Sequence, residues 1–462
     1  MQIDKKYLIV LSILVIVGAI LRLYNLGFNS FWLDESDTRI FTQLPFFDYW
    51  HLINSAGEVH PPLFYVVEKI ILPFGDNEFL YRLIPAIFGI ITIPIFFFIG
   101  KLLFDDTFGL LMACLLCFSP FHIQYSQDAR MYTMLLFFVS FAFFWYLKAL
   151  KTDTIRYWTL FGLFSALAIW THFIAFLLIG MLLLYSLVFY VKNKLKIKNL
   201  VISVGLIAVL CMPLLYIIKD IFISRIGPVE HYGFSGVDFF INSLSLLLTN
   251  NSLAFIIFLI LLILGSIWLF FEERQKFGFL FSIIFIFFLV LELLSFKMPL
   301  FPRYSIAICP LLFTIIVASS LPFLKIAKPN LIIGVFSILI IALCAPQIYS
   351  YYTTPAPYDW RGLAIYISEN AHLGDTIVIM PEYNKIPFDY YYNNSTHGTY
   401  EKDITYLSEL KNVNKNLKNN NTEYIVITDD MAAADPSGEA VSWIANNTEL
   451  VGDFSTIFLL KR

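Results

Sequence analysis

The sequence predicts a polytopic membrane protein that is mainly α-helical and carries a small α/β domain at its C-terminal end. Of its 462 residues, 59% are hydrophobic and only 14% are charged, whereas soluble domains carry about 25% charged residues. The hydrophobic residues gather in blocks of about 18–25, the length of an α-helix that crosses a bilayer. After about residue 350, alternating helix and strand patterns replace these blocks, as is typical of an α/β domain.

We predict about eleven membrane-spanning helices. The hydrophobic stretches lie at about residues 7–24, 80–100, 108–120, 131–148, 157–171, 173–191, 199–218, 252–271, 277–296, 305–323 and 331–348. The first stretch follows Lys5 and Lys6 and has no small-residue cleavage site. We therefore expect a retained transmembrane helix there rather than a removed signal peptide.

Basic residues in the connections predict the orientation, because cytoplasmic connections carry an excess of Lys and Arg. With the N-terminus in the cytoplasm, every second connection is basic, through Lys101, Lys148, Lys151, Arg156, the cluster at 192–198, Arg274, Lys276, Lys325 and Lys328. A count wrong by one helix would put these residues on opposite sides. We expect a multi-pass protein of the cell membrane whose C-terminal domain is extracytoplasmic.

The first outer connection, about residues 25–79, is long and not very polar. Its stretches 36–53 and 62–74 are amphipathic or apolar, and we predict two helices that lie in the membrane interface. The second stretch follows Pro61 and Pro62, and proline suits the start of a helix. The alternative, a span over 62–74, is disfavoured because about thirteen residues are too few to cross a bilayer.

The C-terminal part predicts a domain boundary near residue 350, with a transmembrane domain over 1–349 and an α/β domain over 350–462. Strands are predicted at 376–380, at 423–428 and at the end of the chain. From residue 359 onward the chain has fifteen acidic and eight basic residues, which makes nucleic acid an improbable partner. The five cysteines all lie in hydrophobic stretches, which favours free buried thiols over a metal or redox site.

Charged and histidine side chains gather in the connections predicted to face outward. The acidic segment, "FWLDESDTRI" at 31–40, places Asp34 and Glu35 between aromatic residues. Adjacent carboxylates can act as a general base with an orienting or metal-binding partner. The alternative is a solvated helix N-cap, in which a carboxylate or hydroxyl satisfies free amide groups. We expect that capping role for Ser36 and Asp37.

Three further connections carry candidate site residues, each with an alternative. In "EVHPPLFY", Glu58 and His60 precede a proline-started helix whose positive end could favour a phosphate, or they form a capped turn. In "YSQDARMY", Asp128 and Arg130 stand beside Tyr125 and Gln127, as site groups or as a local ion pair. The third connection is "FPRYS".

Arg303 and Tyr304 lie in "FPRYS", where a predicted span enters the membrane from outside. A guanidinium suits bidentate contact with a phosphate, and the alternative is an arginine that reaches toward lipid headgroups. His172, which follows "WT" at the end of another predicted span, is a weaker candidate. Because polar groups at membrane depth are costly and usually functional where they converge, their one-sided accumulation indicates a site.

The order of the segments "FWLDES", "HPPLFYVVEKI", "EFLYRLIPAIFGI", "SPFHIQYSQDARMY", "WTHF", "PRYSIAICPLL" and "DWRGLAIYI" resembles the polytopic GT-C glycosyltransferases. Within them the chain is most similar to the group that contains the protein O-mannosyltransferases and the aminoarabinose transferase of lipid A. The resemblance covers almost the whole chain and is densest over residues 28–132.

The resemblance implies a transferase that moves a sugar from a polyprenyl-phosphate donor to a hydroxyl of a glycan, protein or lipid acceptor. It implies Asp34 as the catalytic base with Glu35 beside it, and a second site carboxylate at Asp128. Arg130 and Arg303 would face the lipid phosphate. His60 stands where the aminoarabinose transferase has a lysine. No cofactor is certain, and the resemblance leaves room for a divalent metal ion.

A multi-pass transporter or flippase is the alternative function. It would explain many spans and buried polar groups, but it predicts internal repeats, broken helices and ionisable residues near the middle of the membrane. We see no clear repeat in the sequence, and the polar groups gather at one face. That distribution favours chemistry at the membrane surface.

Overall fold

The computed structural model describes residues 3–54, 60–193, 197–225, 234–298, 300–372, 374–392, 400–403, 410, 422–431 and 435–462. The helices before residue 354 are α1 (Lys5–Leu23), α2 (Leu33–Gln43), α3 (Phe46–Asn54), α4 (Leu63–Glu68), α5 (Glu78–Leu103), α6 (Asp106–Phe118), α7 (Pro120–Ser126), α8 (Tyr132–Thr152), α9 (Ile155–Thr171), α10 (Ile174–Asn193), α11 (Lys198–Arg225), α12 (Gly236–Leu248), α13 (Ser252–Glu272), α14 (Arg274–Ser295), α15 (Cys309–Ala318), α16 (Leu321–Leu324) and α17 (Pro329–Thr353). Short 3₁₀ helices occupy Lys69–Phe74 and Pro302–Ile308.

The membrane class follows from the length and composition of the helices. Six of those described, α1, α5, α8, α13, α14 and α17, are long and hydrophobic enough to cross a membrane. Helices α6 and α7 together would make a seventh span, bent by 59°. All eleven predicted spans fall on helical segments, so the prediction of a mainly helical multi-pass protein is confirmed, while the count of eleven stays a prediction.

The first connection holds four short helical segments rather than two helices. The stretch predicted as one helix over 36–53 is divided into α2 and α3, and the break lies at Pro45, where a proline ring removes a backbone donor. The stretch 62–74 consists of α4 and a 3₁₀ turn. Helix α12, between two predicted spans, was missed by the sequence analysis because its thirteen residues are too few to read as a span.

The C-terminal part forms a five-stranded sheet with helices. Its elements are α18 (Trp360–Asn370), β1 (Thr376–Met380), α19 (Lys385–Tyr391), β2 (Tyr400–Asp403), β3 (Glu423–Thr428), α20 (Glu439–Asn447), β4 (Glu449–Asp453) and β5 (Ile457–Lys461). The strand order is β2-β1-β3-β5-β4. Strand β1 pairs in parallel with β2 and β3, and β5 runs antiparallel to β3 and β4. The predicted α/β character of this part is confirmed.

The C-terminal unit is bonded directly to the first connection. The Tyr391 hydroxyl accepts a hydrogen bond from the backbone N–H of Phe31 at 2.7 Å and donates to Glu78 Oε1 at 2.6 Å. Arg361 forms an ion pair with the same Glu78 and donates to the carbonyl of Phe28 at 3.0 Å. The C-terminal unit is therefore hydrogen-bonded to the backbone of Phe28 and Phe31, just before and at the start of the acidic segment.

Glu68 is a buried carboxylate in the first connection, and it makes the stability of the fold depend on pH. Its side chain is fully buried, and neither of its oxygens has a hydrogen-bond partner among the described residues. Burial without a partner disfavours the charged form, which raises the pKa of Glu68 well above its usual value. The neutral Glu68 side chain therefore contributes its full stabilisation below the pKa of Glu68 in the unfolded state. This stabilisation is lost as pH rises through the pKa of Glu68 in the folded state.

We expect Glu68→Gln to flatten this pH dependence, because the amide carries no ionisable proton. The unfolding temperature of the wild-type protein should fall more between pH 5 and pH 8 than that of the variant, as measured by thermal unfolding in detergent. The same change at the exposed Glu449 should leave the dependence intact. Parallel curves for wild type and Glu68→Gln would show that Glu68 does not ionise on unfolding.

Candidate active site

The acidic segment is held in place by a buried ion pair. Glu35 accepts hydrogen bonds from Arg82 Nε at 2.7 Å and Nη2 at 2.6 Å, and from the backbone N–H of Ala129 at 2.8 Å. Arg82 also donates to the carbonyls of Leu26, Asn29 and Ser30. Glu35 thus joins α2 to α5 and to the loop after α7. Its carboxylate has protein partners for both oxygens.

The helix that carries these carboxylates begins earlier than the sequence predicts. Helix α2 starts at Leu33, and the Glu35 carboxylate reaches back to the backbone N–H of Trp32 at 3.4 Å. Ser36 and Asp37 lie inside the helix, so the expectation that they cap it was wrong. The Glu35 carboxylate thus caps the start of α2 locally while it also binds Arg82 and the backbone of Ala129.

Asp34 has a different environment from its neighbour. Its Oδ2 atom lies 3.1 Å from Arg303 Nη2 and 3.9 Å from Arg130 Nε, and its side chain is 22% exposed. Arg130 Nη1 also donates to the backbone carbonyl of Asp34 at 3.1 Å. Both ion pairs use the same oxygen, so the Oδ1 atom is left for another partner.

Three buried donors beside Asp34 have no hydrogen-bond partner among the described residues: Arg303 Nε, the Tyr132 hydroxyl and His172 Nε2. The Arg303 guanidinium lies 5.8 Å from the centre of the Tyr132 ring, and the rings of Tyr132 and His172 are 6.2 Å apart. Buried polar groups normally have partners. The open Nε of the Arg303 guanidinium and the two other open donors near it therefore suit an oxyanion.

His172 is suited to donate while it is neutral. Its Nδ1 atom accepts a hydrogen bond from the backbone N–H of Ile174 at 3.1 Å, which leaves the proton on Nε2. Burial, and then nearby positive charge from His60 and the two arginines, lowers the pKa of His172 well below its usual value. Its ring lies 5.4 Å from that of His60 and 5.0 Å from that of Tyr304. The structure thus brings five predicted residues together: His60, Arg130, His172, Arg303 and Tyr304.

Asp128 lies on the other side of Trp32, at a cavity of about 310 Å³. The Trp32 indole donates to Asp128 Oδ1 at 3.1 Å, and the Arg303 guanidinium lies 5.5 Å from the Trp32 ring. The cavity is lined by Asn29, Ser30, Trp32, Glu35, Arg82, Gln124, Tyr125, Gln127, Asp128, Arg303, Tyr351, Ala356, Pro357 and Tyr358. Arg303 therefore lies between Asp34 and this cavity.

The surroundings of Asp128 favour the protonated form of its carboxyl group. Burial, and then the negative charge of Glu35, raises the pKa of Asp128 to about 7, although the Trp32 hydrogen bond and Arg130 oppose the shift. A carboxyl group with such a pKa can accept or hold a proton under physiological conditions. Asp128 is thus chemically distinct from the ion-paired Glu35.

The remaining predicted residues have mixed positions. Tyr125 lines the cavity, and Gln127 lines it too, but the Gln127 amide donates to the carbonyls of Leu21, Arg22 and Tyr24. Glu58 lies outside the described residues. Three further residues at this site, Trp32, Arg82 and Tyr132, were not predicted from the sequence. An aromatic beside two carboxylates was the available signal for Trp32, whereas the role of Arg82 depends on a contact 47 residues away.

Among the described residues, the carboxylates of the acidic segment are engaged by arginines rather than grouped as ligands of a metal ion. Over the parts of the chain that the structure describes, no three His, Cys, Asp or Glu side chains lie close enough together to hold one. Glu35 is paired with Arg82, and Asp34 is paired with two arginines. These pairings do not fit a divalent cation, so we derive no step through a metal.

The chain was compared with proteins of known family and structure. A family model described as dolichyl-phosphate-mannose-protein mannosyltransferase matches residues 59–217. The apo structure of ArnT from Cupriavidus metallidurans superimposes with a TM-score of 0.62 at 12% identity, over 97% of this chain and 97% of ArnT. This chain has the GT-C glycosyltransferase fold. The resemblance inferred from the sequence is thereby confirmed.

Two further GT-C structures show the same likeness. ArnT bound to undecaprenyl phosphate matches with a TM-score of 0.60 and 11% identity, over 98% of this chain and 97% of that one. The archaeal oligosaccharyltransferase AglB from Archaeoglobus fulgidus, in complex with an inhibitory peptide and a dolichol-phosphate, matches with a TM-score of 0.55 and 12% identity, over 95% of this chain and 72% of that one. A search of curated proteins by sequence finds no match. At these identities the structures establish the fold of this chain.

Proposed function

We propose that this chain is an integral membrane glycosyltransferase that moves a sugar from a polyprenyl-phosphate donor to an acceptor hydroxyl. The observation that carries the proposal is the group of open buried donors beside Asp34, formed by Arg303, Tyr132 and His172. A general base next to an oxyanion site is what transfer from a phosphate leaving group requires. The GT-C fold and the mannosyltransferase family match support the same reaction class.

The donor phosphate would occupy the space at Arg303, Tyr132 and His172. Hydrogen bonds from charged or fixed donors to a phosphate are short and strong in a water-poor site. Arg130, 3.9 Å from the same carboxylate as Arg303, adds positive charge. His60, whose ring lies 5.4 Å from that of His172, and Tyr304 would line the same space.

In the proposed reaction Asp34 takes the proton of the acceptor hydroxyl through its Oδ1 atom. The acceptor oxygen attacks the anomeric carbon as the bond between that carbon and the phosphate oxygen breaks. The electron pair of the broken bond goes to the phosphate, whose developing charge the Arg303 and His172 donors stabilise. A single displacement of this kind inverts the configuration at the anomeric carbon.

Asp128 and Glu35 take different parts in this proposal. Asp128, at the cavity on the far side of Trp32, would contact hydroxyl groups of the sugar or the acceptor. Glu35 would position α2 through Arg82 rather than react. The site would face the extracytoplasmic side, together with the C-terminal unit, and the acceptor would be a glycan, a protein or a lipid.

Binding of undecaprenyl phosphate tests the phosphate site. The lipid should raise the unfolding temperature of the wild-type protein, because a ligand that binds only the folded state stabilises it. Arg303→Gln should weaken this binding by about tenfold to a hundredfold, since a hydrogen bond to a charged group contributes about 1.5–3 kcal/mol.

Arg39→Gln is the matched control, because Arg39 pairs with Asp76 at the surface of the same region and should not affect lipid binding. Equal binding by wild type and Arg303→Gln would place the phosphate elsewhere. Cleavage of a labelled polyprenyl-phosphate hexose by the wild-type protein tests the activity itself, and uptake of the intact donor into liposomes would instead support a transporter.

A further inference from the structure

Arg22 is a buried charged residue at the end of α1, outside the site described above. Its side chain is completely buried. Arg22 Nη1 donates to the carbonyls of Gly18 at 3.0 Å and Cys117 at 3.2 Å. Its Nη2 donates to the carbonyl of Leu116 at 3.0 Å and lies 2.7 Å from His122 Nδ1. A buried charge is costly, so four contacts from its two terminal nitrogens indicate a specific role.

The partners of Arg22 lie at the break between α6 and α7. Leu116 and Cys117 belong to the last turn of α6, where carbonyls have no partner within the helix, and His122 belongs to α7. The two helices are bent by 59° at this point. A cation favours the negative end of a helix. Arg22 therefore caps α6 and ties α7 to α1.

A second contact runs in the opposite direction. The Gln127 amide, just after α7, donates to the carbonyls of Leu21 at 3.3 Å, Arg22 at 3.1 Å and Tyr24 at 2.7 Å. These carbonyls belong to the end of α1. Arg22 of α1 thus caps the C-terminal end of α6, and Gln127 after α7 caps the C-terminal end of α1.

The close packing of α5 leaves α7 little room to move. A β-carbon on Gly89 of α5 would lie 2.2 Å from Ser126 Oγ and 3.2 Å from Arg22 Cδ. Gly89 therefore makes the space in which Arg22 and the end of α7 meet. Ser126 in turn donates to the carbonyl of His122 at 2.5 Å, which keeps the last turn of α7 wound.

The loop that follows α7 contains residues of the candidate site. Ala129 donates its backbone N–H to Glu35, Asp128 accepts from the Trp32 indole, and Arg130 reaches Asp34. We infer that Arg22 is a positioning residue, which fixes the break between α6 and α7 and thereby sets Asp128 and Arg130 against the acidic segment. The catalytic consequence rests on the proposed function, whereas the placement of the loop does not.

Hydrogen–deuterium exchange of the full-length protein in detergent tests the placement. Arg22→Lys keeps a cation but cannot make four contacts, so it should fold and should raise exchange in the peptide over 127–131 by severalfold. Arg22→Gln should raise it further. The surface control Arg39→Gln should leave this peptide unchanged, and the strand at 423–428 should be unchanged in all three variants. Unaltered exchange over 127–131 in Arg22→Lys would overturn the inference.

Turnover of a polyprenyl-phosphate hexose tests the consequence. Arg22→Gln should lower kcat at least tenfold, because Asp128 and Arg130 lie on the loop that Arg22 positions against the acidic segment. Arg22→Lys should recover part of the rate. Raised exchange with full kcat would show that Arg22 does not act on the site. If wild type has no turnover, the proposed function fails while the exchange result still decides the placement.

Discussion

Replacing Asp34 with asparagine is expected to lower sugar transfer by about 10²- to 10⁴-fold, the usual contribution of a general base. The amide cannot take the proton of the acceptor hydroxyl, yet it has the same shape and can still accept a hydrogen bond from Arg303, which lies 3.1 Å from the carboxylate. Undecaprenyl phosphate should still bind. Release of labelled sugar from a polyprenyl-phosphate donor measures the effect.

Asp37→Asn is the matched control for this change, because Asp37 lies on the same helix and the proposed reaction does not use it. The control should keep its activity. An Asp34→Asn protein that folds and turns over at the wild-type rate would remove Asp34 from the role of base.

Replacing the adjacent carboxylate, by Glu35→Gln, is expected to destabilise the protein rather than to stop the chemistry alone. The pair of Glu35 with Arg82 is almost completely buried, with side chains 1% and 5% exposed. Removing one partner of a buried pair leaves the other charge unpaired and costs about 3–5 kcal/mol. Thermal unfolding in detergent should show a large fall in the unfolding temperature.

Comparing the two variants distinguishes a loss of stability from a loss of catalysis at two adjacent residues. Asp34→Asn should keep the fold and lose activity, whereas Glu35→Gln should lose stability and activity together. A Glu35→Gln protein with the wild-type unfolding temperature but no activity would contradict this division and would place Glu35 in the reaction.

The sequence was sufficient to predict the class of the protein, and it selected most of the residues that the structure brings together at the candidate site. Long hydrophobic blocks marked the helices, and three runs of β-branched and aromatic residues marked β1, β3 and β5. Strands β2 and β4, with sequences "YEKD" and "ELVGD", were missed. They are short and polar at the sheet edges, and such strands carry little hydrophobic signal.

The contacts that distinguish neighbouring site residues could not be predicted from the sequence. Asp34 and Glu35 are adjacent and chemically similar, and their environments differ through partners 47 to 269 residues away. Likewise, Gln127 and Asp128 are adjacent, but Gln127 caps α1 while Asp128 faces a cavity. Such contacts depend on how helices pack, which local patterns do not encode.

The most direct test of the proposed reaction is the fate of a polyprenyl-phosphate hexose of known anomeric configuration, incubated with the purified protein in lipid nanodiscs with water as the acceptor. Nuclear magnetic resonance of the first-formed sugar product reports its configuration. We predict free polyprenyl phosphate and a product of inverted configuration from wild type, and neither from Asp34→Asn. An intact donor would contradict transfer altogether, and a product of retained configuration would contradict a single displacement with Asp34 as its base.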